Sequence, residues 1–277
     1  MKNGLGSKMR KTRGASPDRP PARRATGAPG PAAPARQVVW VYAVAAGLGT
    51  DQLNGLTGVA GEPVRVVTEA GLAAVVGSVS GAVFGEMSLT SLLTDLTAIE
   101  LTGRAHHEVI AAAAARGPVV PLRLAATYPD DATVRLLLAE RNAELTEMLN
   151  AFTGMQEWGV KVYVAPWAEA GEDGWPSGAA RAPDHAPGLE WRWVTAEAWV
   201  EKIGQALNTM AVATRRHPAP DPRLVDQAGW MALNGAYLVS SERSAEFAEI
   251  AKALTAEHDA LQADVTGPWP PYSFADR

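Results

Sequence analysis

The sequence predicts an α+β fold in two domains, each an antiparallel sheet with helices on one face. Three observations lead there. At 277 residues the chain exceeds one domain of about 100–200 residues and falls short of three. Hydrophobic residues make up 47% and charged residues 20%, the balance of a chain that buries a core rather than staying a solvated polyelectrolyte. Strand-like and helix-like segments also follow one another in the same order in both halves.

The boundaries run 1–36 for a basic, Pro-rich tail, 37–126 for an N-terminal α+β domain and 127–277 for a C-terminal domain. Residues 1–36 hold nine Lys/Arg against one acid, Asp18, a charge of +8; the whole chain carries -5, so the remainder carries -13. Six prolines and few large apolar side chains leave this tail without the burial that would offset ordering, and it lacks the apolar stretch of a signal peptide. Two readings are open, a solvated extension and a basic arm for nucleic acid or an acidic surface. The absence of interleaved aromatics and of an attached nucleic-acid motif favours the first.

Val38 to Val44, rich in β-branched and aromatic residues, reads as a buried first strand. Thr50 or Asp51 caps a short helix through about Leu56. Val64–Thr68 and Leu72–Val76 read as antiparallel strands joined by Glu69-Ala70-Gly71. From Leu89 the positions Leu92, Leu93, Leu96, Ile99, Val109 and Ala112 trace a helical stripe that Gly117-Pro118 ends. Val119–Leu124 is a strand in which Pro121, having no N–H, marks an edge or a bulge.

The order strand, helix, strand, strand, helix, strand is the ferredoxin-like βαββαβ grammar. It recurs downstream. Asp130 or Asp131 caps a helix through about Phe152, and Trp158–Ala165 alternates as a strand with Val160, Val162 and Val164 on one face and Lys161 and Tyr163 on the other. Residues 166–188, rich in Gly, Pro, Ala and acids, read as an inserted loop. A helix capped by Thr195 runs to about Thr214 and is broken by Pro218, Pro220 and Pro222; strand 230–239, helix 242–258 and strand 261–266 follow.

Zero cysteines exclude a disulfide framework, a Cys-ligated metal and a cysteine nucleophile, and fit a reduced cytoplasm. The longest uncharged run, Ala70–Gly85, has 16 residues, shorter than the roughly 18–20 a membrane-spanning helix needs, so no membrane partner is expected. His106-His107-Glu108 cannot converge on one metal, because neighbours on a helix point about 100° apart; a surface or interface histidine pair is the expected reading. Gly58-Val59-Ala60-Gly61 and Gly47-Leu48-Gly49 lack the residues of a phosphate or dinucleotide loop. With no nucleophile, base and anion-stabiliser set, no enzyme and no cofactor are expected.

The sharpest signal is the ending Thr266-Gly267-Pro268-Trp269-Pro270-Pro271-Tyr272-Ser273-Phe274. Its prolines hold the backbone extended and deny it sheet hydrogen bonds, while the aromatics offer large surfaces at low ordering cost. Trp269, Pro270, Pro271, Tyr272 and Phe274 are the candidate partner-binding residues; the alternative is that the segment packs back and closes its own core. Arg123, charged in an apolar strand, is a candidate junction residue paired with a carboxylate.

That ending, with Leu233-Asn234-Gly235-Ala236-Tyr237-Leu238-Val239, Trp158-Gly159-Val160-Lys161-Val162-Tyr163 and Val119-Val120-Pro121-Leu122-Arg123, resembles the gas vesicle protein L/F family over most of residues 37–277. The resemblance implies a two-domain α+β protein whose second domain is a modified ferredoxin-like fold. It also implies a non-enzymatic accessory of the gas vesicle, as assembly factor or minor shell component. Its partner would be the major shell protein, with other accessory proteins as further candidates, at the gas vesicle in the cytoplasm. The runner-up is a nucleic-acid-associated regulatory protein using the basic arm.

Overall fold

The spine of the first sheet is β1 (Gln37–Ala46), buried without interruption from Val39 to Ala45. In this computed structural model residues 36–84, 95–164, 190–218, 230–256 and 261–275 are described. The expectations for the basic tail through residue 35, for Leu89, Leu92 and Leu93, for the 166–188 loop, for Pro220 and Pro222 and for His258 lie outside those residues.

On one side β1 pairs antiparallel with β3 (Leu72–Ser80), which pairs in turn with β2 (Arg65–Glu69). On its other side lie β4 (Val119–Pro121) and β5 (Thr127–Tyr128), also antiparallel. The path is β2-β3-β1-β4, so Pro121 sits on an edge strand, where its missing donor costs nothing. The β2–β3 loop is Ala70-Gly71 with φ of 48° and 83°, the doubly positive pair of a tight hairpin turn. The strand expected over 119–124 stops at Pro121. Ala125, at φ 70°, turns the chain so that Tyr128 re-pairs with Val39.

A bulge between Val41 and Ala43 sorts the side chains of β1. Trp40, Tyr42, Ala43 and Ala45 enter one core, Val39, Val41 and Val44 another. The first core lies under α2 (Leu96–Ala114), which follows the four-residue helical turn α1 (Gly81–Phe84). Asp95 caps α2, accepting from the N–H groups of Thr97 at 3.0 Å and Ala98 at 3.2 Å. The buried face of α2 differs from the expected stripe: Leu96 is 76% exposed, while Thr102 and His106 are buried with Val109, Ile110 and Ala113. His106 is tolerated there because both ring nitrogens are satisfied. Trp40 Nε1 donates to Nδ1 at 3.0 Å, and Nε2 lies 3.1 Å from the Leu122 carbonyl.

The second core requires a further correction. Helices cover both faces of this sheet, because its other face is equally apolar and also has to leave water. The cover is α3 (Asp131–Glu140) and α4 (Asn142–Phe152), two helices where one was expected, broken at Arg141. Each keeps its own apolar stripe inward, Val134 and Leu138 from the first, Leu145, Met148, Leu149 and Phe152 from the second. Arg65 ties the start of α3 to β2 through Asp131, at 2.9 and 2.7 Å. The stretch from 127 to 152, read from sequence with the second half, is therefore hydrogen-bonded to and packed on the first sheet.

The second sheet is ordered β7-β8-β6-β9, all antiparallel, from β6 (Met155–Val164), β7 (Ala213–Arg216), β8 (Trp230–Ser240) and β9 (Leu261–Trp269). Between β6 and β7 runs α5 (Glu190–Met210), and between β8 and β9 runs α6 (Ser244–Ala256). Thr195 lies inside α5 rather than capping it, and the chain expected to stay helical to Thr214 already pairs as β7, where Ala213 faces Leu238. Val160, Val162 and Val164 do share one face, packed with Ile203, Leu207 and Phe247. From the opposite face, Leu238 joins the core of α3 and α4, which thus runs from one sheet to the other.

Candidate functional site

The chain does not leave the sheet at Thr266, as its prolines suggested. After an irregularity β9 continues until Trp269 pairs with Glu157. Gly267 makes this possible. Its φ is +136°, and a Cβ there would stand 2.9 Å from the Glu157 carbonyl oxygen and 2.9 Å from the Trp158 ring, so only glycine lets the backbones approach this closely.

Beyond Pro270-Pro271 a short 3₁₀ turn, Tyr272–Phe274, drops into the joint between the two sheets. Two anchors hold it. The Glu157 carboxylate, 6% exposed, accepts from the Ser273 backbone N–H and from its hydroxyl, each at 2.7 Å. Burial raises the Glu157 carboxyl above the usual range, opposed by both Ser273 donors and by the charge of Arg215. His217 Nε2 lies 3.2 Å from the same hydroxyl. Because that hydroxyl donates to Glu157, its oxygen is left to accept from the imidazole, and the three groups together clamp the turn.

The second anchor is His107. Its Nδ1 shares a hydrogen bond of 2.8 Å with the Tyr272 hydroxyl, and its ring meets Trp269 edge to face at 5.0 Å. Burial pushes the Tyr272 hydroxyl far above its usual value, with the charge of Glu157 adding to it, so the group stays protonated. Adjacent histidines thus diverge, His106 into the core and His107 onto the tail. Among the described residues no group of three or more His, Asp or Glu is placed to hold a metal.

The five candidate tail residues separate into two kinds. Tyr272 packs against the α2 core, and Phe274 joins the core shared by the sheets, its ring 6.0 Å from the Arg215 guanidinium. Pro271 is buried and Pro270 half-buried. Trp269 alone of the three aromatics faces out, at 38% exposure. It stands between a cleft of about 560 Å³, walled by Pro118, Phe152, Met155 and the two prolines, and one of about 640 Å³, walled by His107, Leu122, Leu124 and Tyr272. Arg123 lies past the end of β4, exposed on the rim of the larger cleft rather than within a strand. The sequence reading missed Glu157 and Ser273. A lone acid beside the Trp158-Gly159 pair of a strand was the available signal for the first.

A two-sheet α+β protein whose aromatic C-terminus closes the joint between its halves is the class these features define. The chain belongs to the gas vesicle synthesis protein GvpL/GvpF family, whose model matches residues 38–182 and 190–276. It is 35% identical over 246 residues to gas vesicle protein L of Streptomyces sp. (strain CB03234), covering 85% of this chain and 92% of that one. Gas vesicle protein F of the same organism is 30% identical over 226 residues, covering 78% and 89%. In structure the chain is similar to crystalline GvpF from Anabaena sp. PCC7120, with a TM-score of 0.63 at 16% identity over 87% of this chain and 97% of that one. GvpF from Microcystis aeruginosa gives 0.57 at 18% identity over 87% and 99%. The resemblance drawn from the sequence motifs is therefore shown, and a gas-vesicle-related role with it.

Proposed function

We propose that this chain is a non-enzymatic assembly factor or minor shell component that binds the major shell protein of the gas vesicle, acting at the vesicle in the cytoplasm. Support comes from the family together with one structural observation: the family-type ending is anchored from beneath while Trp269 is left facing water between two clefts, one of them largely apolar. Rigid aromatic anchors of this kind bind at low ordering cost. A shell subunit with an exposed apolar face and open strand edges aggregates unless something covers it, and a preformed surface on a soluble partner does that.

We also propose the ferredoxin-like assignment for the second sheet. Its support is the strand order β7-β8-β6-β9 with α5 and α6 as the two crossovers.

The test is co-expression of tagged chain with the major shell protein. Retention of soluble shell protein on the tagged chain is expected. Shell protein that stays insoluble and is not retained contradicts the reading.

A further inference from the structure

Outside its first 36 residues the chain carries a charge of -13, yet among the described residues lining the two clefts beside Trp269 there is no Asp or Glu. The charged lining residues are both basic, Arg116 in one cleft and Arg123 in the other. Arg116 ends the turn after α2, is exposed, and makes no ion pair among the described residues. The remaining walls of the second cleft are largely apolar, while those of the first mix apolar side chains with Gln156 and Ser241. In an acidic molecule this is a patch that repels a basic segment and accepts an acidic one. Its shape is set by the Glu157–Ser273 and His107–Tyr272 anchors, so little is lost in ordering when something docks.

We propose that an apolar protein segment bearing carboxylates docks across Trp269, with apolar side chains in the second cleft and a carboxylate against Arg116 in the first. This rests on the shell-protein reading above and adds which surface is used and what chemistry the partner segment has. The chain's own basic arm is a poor occupant, since its nine Lys/Arg meet Arg116 with the same sign and it offers few large apolar side chains.

The experiment places a photo-crosslinking amino acid at Ala115, in the first cleft, or at Gly103, in the second, where a Cβ meets nothing within 4 Å. The full chain is co-expressed with the major shell protein and irradiated, and the crosslinked peptide is mapped by mass spectrometry. Both positions are expected to capture one stretch of shell protein that contains Asp or Glu. The yield should fall at least about tenfold for Trp269→Ala and about fivefold for Arg116→Glu, with Arg116→Lys near wild type. Arg116→Glu, an exposed change, carries the test alone if Trp269→Ala does not fold. Co-purification without a crosslink at either position, capture of a stretch without carboxylates, or capture of residues 1–35 of the chain itself overturns this proposal and leaves the shell-protein reading standing. Failure to co-purify overturns both.

Discussion

Glu157 and Ser273, 116 positions apart in the chain, are joined by two hydrogen bonds of 2.7 Å from the serine N–H and hydroxyl to the two oxygens of one buried carboxylate. The bond pair fixes the Tyr272–Phe274 turn to β6, an inner strand of the second sheet, while Tyr272 fixes the same turn to α2 of the first. Residues that look like a loose tail in the sequence are the fastening between two halves.

Because burial raises the Glu157 carboxyl, the folded chain holds that proton more tightly than the unfolded one. Its contribution to stability is complete below the ordinary glutamate value of about 4.3 and is lost as the pH rises through the raised folded value. Urea unfolding at a series of pH values should show wild type losing ground to Glu157→Gln across that window, by at most about 1.4 kcal/mol per pH unit. A difference that does not change with pH refutes the assignment.

His106 titrates the other way. Burial lowers its pKa, with the Leu122 carbonyl opposing and the charge of His107 adding to the lowering. The unfolded chain therefore takes the proton first. Stability from this group is present above about pH 6.5 and falls as the pH drops through the lowered folded value. His106→Ala should remove that fall and cost about 1–3 kcal/mol at neutral pH through the orphaned Trp40 Nε1–H, plus the cavity it opens. Thermal melts from pH 5 to 8 separate the two effects.

Gly267→Ala combines a left-handed backbone with a Cβ forced against the Glu157 carbonyl and the Trp158 ring. We expect a loss of about 1–3 kcal/mol in chemical unfolding, with amide exchange rising first in residues 269–275. A variant as stable as wild type would mean that the close approach is absent.

Much of the architecture was legible because its signals are local. The run Val38–Val44, the hairpin at Ala70-Gly71, the Asp130 cap and the alternation of Val160, Val162 and Val164 all depend on neighbours in sequence. Element ends such as Pro121, Arg141 and Thr195 were misplaced locally, but the larger failures were non-local. The second face of the first sheet is covered by helices from residues 131–152, and no pattern inside those helices says which sheet they meet. His106 looked like a surface residue because its two partners, Trp40 and Leu122, lie 66 and 16 positions away. At the candidate site the composition of the ending drew attention to the right segment. Which of its aromatics faces water depends on Glu157 and His107, distant in sequence.

Trp158 and Trp269 test that division directly. Trp158 is 8% exposed and its Nε1 donates to Ser244 Oγ at 2.8 Å, so Trp158→Ala should cost about 3–5 kcal/mol. Trp269, 38% exposed, should cost less than half as much on the same change, measured by urea unfolding. Equal losses would mean that Trp269 is a core residue.

The central claim is that the chain works by presenting a surface to the shell protein. The most direct measurement is the yield of floating vesicles from a vesicle-forming host in which the gene has been deleted and then returned as wild type or as Trp269→Ala. The account predicts no vesicles after deletion, full recovery with wild type, and little recovery with a Trp269→Ala chain that is folded and equally abundant. Normal flotation in the deletion strain would contradict it.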